Sequence, residues 1–150
     1  MSTNTDVSKL DDLIHTVIDS IRGFERSAED APDGRFTGFF REMAQDRREV
    51  VSRLQAQSSA LGGSPTDQGS IAGTLHRRWE DLRAALGGGD KAVIQEVERG
   101  EDYLKEEFER AMNDTNVSAE TRAVIEGCYA SVRRGHDTAR DLKRELEAAG

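Results

Sequence analysis

Apolar side chains recur at alternating intervals of three and four residues through four long stretches of this chain. This spacing places them on one face of an α-helix, and its regularity predicts a seam buried between packed helices. The most regular seam consists of Phe36, Phe40, Met43, Arg47, Val50, Leu54, Gln57 and Leu61. No stretch alternates with the two-residue period of a half-buried strand. We therefore predict an all-α fold.

Three other stretches carry seams of the same kind. Their inward-facing residues are Leu10, Ile14, Val17, Ile18, Ile21, Phe24 and Ala28 in the first helix, Ile94, Val97, Glu101, Leu104, Phe108 and Ala111 in the third long helix, and Ile125, Tyr129, Val132, His136, Ala139, Leu142 and Leu146 in the fourth. Glycines at 62–63 and 87–89 indicate helix ends, and Ser118 is a suitable N-cap. The predicted helices span residues 6–30, 35–61, 71–86, 90–113 and 119–148.

The order of these elements predicts a single domain over residues 1–150, a four-helix bundle of ferritin-like design. Short turns at 31–34 and 114–117 join two antiparallel helical hairpins, and a long crossover containing the extra short helix at 71–86 joins the hairpins to each other. One long crossover is the connectivity of ferritin-like bundles. Trp79 is expected to anchor the crossover helix on the bundle, with contact to a partner protein as the alternative.

The charge of the chain argues against two classes of partner. The formal net charge is −8, from 21 Lys and Arg against 29 Asp and Glu. An acidic surface repels phosphate backbones and anionic lipids, so we expect neither nucleic-acid nor membrane binding. The first residues lack the features of a signal peptide, and the one cysteine, Cys128, has no partner for an internal disulfide. We expect a cytoplasmic protein in which Cys128 is a small buried hydrophobe.

Charged and polar residues interrupt the apolar seams at one depth of the predicted bundle. Arg47 lies about fourteen residues past the first turn and Glu101 about fourteen before the last, which at ~1.5 Å per residue gives similar heights. His136 and Arg133, one turn apart on the fourth helix, lie near the same level. Glu25 is offset by about seven residues, or ~10 Å, and is left out. Because buried charges require partners, these four residues are predicted to form one polar layer.

Three segments of the chain resemble known helical proteins. Residues 40–50, Phe-Arg-Glu-Met-Ala-Gln-Asp-Arg-Arg-Glu-Val, resemble the second helix of rubrerythrin-type ferritins. Residues 75–82, Leu-His-Arg-Arg-Trp-Glu-Asp-Leu, and 98–104, Glu-Arg-Gly-Glu-Asp-Tyr-Leu, resemble a bacterial ferritin-like family that is known as a domain of unknown function. The resemblance covers nearly the whole chain. It implies a four-helix bundle without an assigned activity.

The resemblance also implies where the ligands of a dimetal centre would stand. Such a centre takes four carboxylates and two histidines from the four helices. The corresponding positions here hold Ile14, Arg47, Val50, Glu101, Arg133 and His136. Only Glu101 and His136 keep a residue type that binds these metals. The arginines bring the positive charge that the metals would supply, and an arginine fork pairs with a carboxylate without any cation.

We therefore expect a structural polar layer, no cofactor and no oxidase activity. Two alternatives stay open: a residual iron or manganese site built from Glu101, His136 and Glu98, and a small anion held between Arg47 and Arg133. The expected role is that of a non-catalytic, stress-associated protein that acts through self-association or protein partners. A homodimer is favoured over a monomer.

Other candidate features have simpler explanations. His15 lies four residues from both Asp11 and Asp19, and a solvated helix face is expected there rather than a surface metal site. Gly100 and Gly135 adjoin Glu101 and His136 within helices. Close helix approach around the polar layer and a remnant of room for a metal site are both compatible with these glycines.

Overall fold

The computed structural model describes residues 3–30, 37–65 and 90–149. These residues contain no strand and form four helices, α1 (Thr3–Asp30), α2 (Thr37–Ala60), α3 (Asp90–Asn113) and α4 (Ala119–Ala149). All four begin and end within three residues of the predicted bounds. The predicted helix at 71–86, with Trp79, and the predicted turn at 31–34 lie outside the described residues. The architecture is an all-α, four-helix bundle.

The two glycines after α2 end that helix in the way the sequence indicates. Gly62 adopts a positive φ of 86°, which a side chain would disfavour. Its N–H donates to the carbonyl of Ser59 at 3.0 Å, and that of Gly63 donates to Ser58 at 2.9 Å. This pair of bonds is the Schellman motif, which satisfies carbonyls left open at a helix end. A Cβ on Gly63 would lie 2.9 Å from Val7, so the end of α2 lies against the start of α1.

Contacts between the helices give their relative directions. At the opposite end of the first pair, Phe24 of α1 packs on Phe39 and Phe40 of α2, with ring centroids 6.3 and 6.0 Å away, so α1 and α2 are antiparallel. Three side-chain bonds make α3 and α4 antiparallel: Tyr129 to Glu109, His136 to Asp102, and Lys143 to Glu98.

The two helix pairs, α1 with α2 and α3 with α4, pack on each other less extensively than their own members do. The contacts between them run from α2 to α4 and from α1 to α3. Gln57 of α2 donates to Thr121 of α4 at 3.1 Å, while Arg47 lies against Gly135. A later position on α4 thus contacts an earlier position on α2, so these two helices are antiparallel. Both α2 and α3 therefore run opposite to α4.

The buried core follows the predicted seams on α1 and α3 but is displaced on α4. Every inward residue predicted on α1 and α3 is buried. On α4 the buried positions are Thr121, Ile125, Cys128, Val132, Gly135 and Ala139. The predicted Tyr129 and His136 are half-buried at the edge of the bundle. The buried face of α4 includes Cys128 rather than Tyr129 and Gly135 rather than His136. These smaller residues let α4 approach the core closely. No described helix is long and apolar enough to cross a bilayer.

A buried carboxylate ties the start of α1 to the start of α4. Asp6 is only 2% exposed. It accepts hydrogen bonds from the backbone N–H of Ser118 at 2.9 Å, from the Ser118 hydroxyl at 2.5 Å and from the Thr121 hydroxyl at 2.9 Å. Ser118 in turn accepts a bond from the backbone of Thr121 at 3.3 Å, as expected of an N-cap. With Gln57 bonded to Thr121, three helices share one polar cluster.

This cluster makes stability depend on the ionisation of Asp6. Burial by itself would raise the pKa of Asp6, but the hydrogen bonds from Ser118 and Thr121 lower it below the ordinary 3.8. The stabilisation is therefore present above 3.8 and is lost as the pH falls through the lower pKa of the folded state.

Asp6→Asn is expected to lower the free energy of unfolding by about 1–3 kcal/mol near neutral pH, because an amide oxygen cannot replace both acceptor oxygens. The deficit should shrink in acid, where the native carboxyl is protonated as well. Urea unfolding followed by circular dichroism measures both values. Asp12→Asn, at an exposed carboxylate of the same helix, serves as the control. An equal loss at both pH values would contradict the ionic character of the cluster.

Candidate functional site

Arg47 and Glu101 form a buried ion pair between the middle of α2 and the middle of α3. Arg47 is 0% and Glu101 2% exposed. Nη2 of Arg47 lies 2.5 Å from Oε2 of Glu101, and Nη1 lies 3.4 Å from Oε1. Both carboxylate oxygens are thus engaged by one guanidinium fork, which is the geometry that favours arginine over lysine. The predicted association of these two residues is present.

The pair spans the bundle diagonally. In the part of the chain that the structure describes, α2 packs on α1 and on α4, and α3 packs mainly on α4 and less on α1, whereas α2 and α3 have little contact with each other. The side chains of Arg47 and Glu101 therefore meet in the core and join helices that have little other contact. This position explains why both residues interrupt otherwise apolar seams.

Gly135 of α4 provides the space that the ion pair occupies. A Cβ at Gly135 would lie 2.5 Å from Nη2 of Arg47, 2.7 Å from Cε of Met43 and 3.2 Å from Oε2 of Glu101. A Cβ at Gly100, by contrast, would meet nothing within 4 Å. Of the two explanations left open for these glycines, close helix approach accounts for Gly135 and does not account for Gly100.

Burial and charge act in opposite directions on Glu101. Burial raises the pKa of Glu101, whereas the charges of Arg47 and His136 lower it, and the net direction is upward. Burial also leaves Nε of Arg47 without a hydrogen-bond partner. The desolvation of both groups thus offsets much of their attraction, as is typical of buried ion pairs.

His136 lies at the rim of this pair rather than within it. Its side chain is 17% exposed, with Nε2 at 2.5 Å from Oδ1 of Asp102 and Nδ1 at 3.4 Å from Oδ1 of Asp137. Its charge acts on the neighbouring Glu101. The ring therefore faces surface carboxylates on α3 and α4, and His136 lies at the edge of the predicted layer, where its charge still reaches Glu101.

Arg133 lies outside the buried layer. Its side chain is exposed. The charge of Arg133 acts on Tyr129 and Glu109. The main cause that lowers the pKa of Glu109 is the hydrogen bond from the Tyr129 hydroxyl. The displaced seam of α4 explains the error, because burial of Val132 and Gly135 turns position 133 outward. The predicted anion site between Arg47 and Arg133 is therefore not assembled.

The alternative metal ligands have other partners. Glu98 accepts a hydrogen bond from Lys143 at 3.0 Å, Glu101 is engaged by Arg47, and His136 faces Asp102. Among residues 3–30, 37–65 and 90–149, no three His, Cys, Asp or Glu side chains are grouped so as to hold a metal ion.

The remaining positions implied by the dimetal resemblance, Ile14 and Val50, are buried in the apolar core. Their side chains have no donor atom for a metal. Counting Arg47 and Arg133 as well, four of the six positions hold no metal-binding residue type. The residues present do not fit a dimetal centre.

One feature of the polar core, Asp6, was missed by sequence reasoning, and the role of Gly135 was left open. Asp6 lies one turn before Leu10, the first residue of the predicted seam of α1, and its partners, Ser118 and Thr121, are 112 and 115 residues away. Gly135 carries no side chain, so only the distance to Arg47 reveals its role. Cys128 is buried as predicted, and burial raises the pKa of its thiol.

The geometry defines a helical-bundle protein with a diagonal buried ion pair. A family model described as a domain of unknown function, DUF2383, matches residues 5–114, and the chain belongs to this family. The match includes both residues of the ion pair and the segments on which the resemblance was based. No curated protein sequence matches the chain.

Removal of one member of the ion pair is expected to be far more harmful than removal of both. Arg47→Met or Glu101→Leu alone should cost about 3–5 kcal/mol, because a buried partner loses its counter-charge. The double variant Arg47→Met/Glu101→Leu should recover most of this loss, since apolar residues of similar volume need no partner.

Urea unfolding of the four proteins in a double-mutant cycle measures this coupling. The control is Arg48→Met, which breaks the exposed pair between Arg48 and Glu25, whose side chains are 45% and 48% exposed. Its cost should stay within about 1 kcal/mol. A loss for Arg47→Met no larger than for this control would argue against the burial of the pair.

Gly100 and Gly135 should respond to alanine in opposite directions. Gly135→Ala is expected to destabilise the protein by about 1–3 kcal/mol, because the guanidinium of Arg47 is held by Glu101 and has little room to move. Gly100→Ala should stabilise it by up to about 1 kcal/mol through helix propensity alone. Thermal and urea unfolding of both variants provide the measurement, and a stabilising Gly135→Ala would contradict the proposed packing.

Proposed function

We propose that this protein is a non-catalytic, ferritin-like bundle in which an ion pair takes the place of a dimetal centre, and that it acts by binding protein partners, including copies of itself. The observation that carries the proposal is the fork of Arg47 on Glu101. This fork engages both oxygens of Glu101, the one carboxylate of the dimetal ligand set that α3 keeps. Neither oxygen is therefore available to a cation.

The ferritin-like assignment is supported by the directions of the helices. Both α2 and α3 run opposite to α4, so residues 61–89 must lead from the end of α2 to the start of α3 at the other end of the bundle. One such long connection between two antiparallel pairs is typical of ferritin-like folds. Membership of the DUF2383 family carries no activity with it.

A charge argument supports the replacement of metal by arginine. In a dimetal site the cations hold several carboxylates together at the centre of the bundle. Arg47 supplies a fixed positive charge at that level. Three further positions of the dimetal ligand set hold Ile14, Val50 and the outward-facing Arg133. The layer thus keeps its charge balance with one carboxylate and one guanidinium, and it needs no ion from solution.

A binding role is the remaining use for such a scaffold. The surface carries the net charge of −8, and many of its carboxylates pair with arginine or lysine on neighbouring turns. We place this role in the cytoplasm, where a free thiol such as that of Cys128 is common.

Elemental analysis of untagged protein from cells grown with added iron and manganese tests the proposal. We expect both metals far below one equivalent per chain. A near-stoichiometric metal content that disappears in the Glu101→Ala/His136→Ala variant would overturn it. The matched control is Glu25→Ala/His15→Ala, which removes the same residue types elsewhere in the bundle.

A second variant tests the idea of a replaced metal site directly. Arg47→Glu with Val50→His restores a Glu-x-x-His pair on α2 facing Glu101. A gain of metal over the wild type would support descent from a metal-binding ancestor. No gain would leave only the ion-pair part of the proposal standing.

A further inference from the structure

We draw no further inference here: the strongest candidate, the surface groove between α1 and α2 that is lined by Ala28 and Ala44, carries nothing because nothing in the structure shows what covers it.

Discussion

A guanidinium and a carboxylate cannot be buried separately in an apolar core, and this constraint governs the centre of the bundle. Arg47 on α2 and Glu101 on α3 satisfy each other across the diagonal. For the fork to reach, the middle of α2 must lie level with the middle of α3, and Gly135 of α4 must lie beside both. One interaction thus aligns three helices along the bundle axis.

A second buried polar cluster performs the corresponding task at one end of the bundle. Asp6 bonds to the first turn of α4, and Gln57 near the end of α2 bonds to Thr121 in the same turn. The two clusters differ in kind. The hydrogen bonds of the end cluster favour the charged form of its carboxylate, so the pKa of Asp6 is lowered. At the centre, burial outweighs the partner charges and the pKa of Glu101 is raised. The end cluster is therefore expected to contribute more to stability, while the central pair contributes more to alignment.

These interactions also connect the fold to its proposed use. A bundle aligned by a metal centre would depend on metal supply and would retain the reactivity of the ions. The alignment that Arg47 and Glu101 give to the bundle requires no ion from solution. Membership of a family without an assigned activity is compatible with such a scaffold.

By itself, the sequence determined the helices, their ends at Gly62 and Ser118, the buried faces of α1 and α3, and the buried Arg47 and Glu101, because three- and four-residue periodicity and capping chemistry are local. It could not determine the edge of the buried face on α4. Tyr129 and His136 fit a helical period as well as Cys128 and Gly135 do, and only the space beside α2 distinguishes them. Nor could it reveal the bond from Asp6 to Ser118, since partners 112 residues apart meet only after the helices pack. Of the four polar residues predicted for one layer, tertiary packing thus buries Arg47 and Glu101 together, leaves His136 at the rim and exposes Arg133.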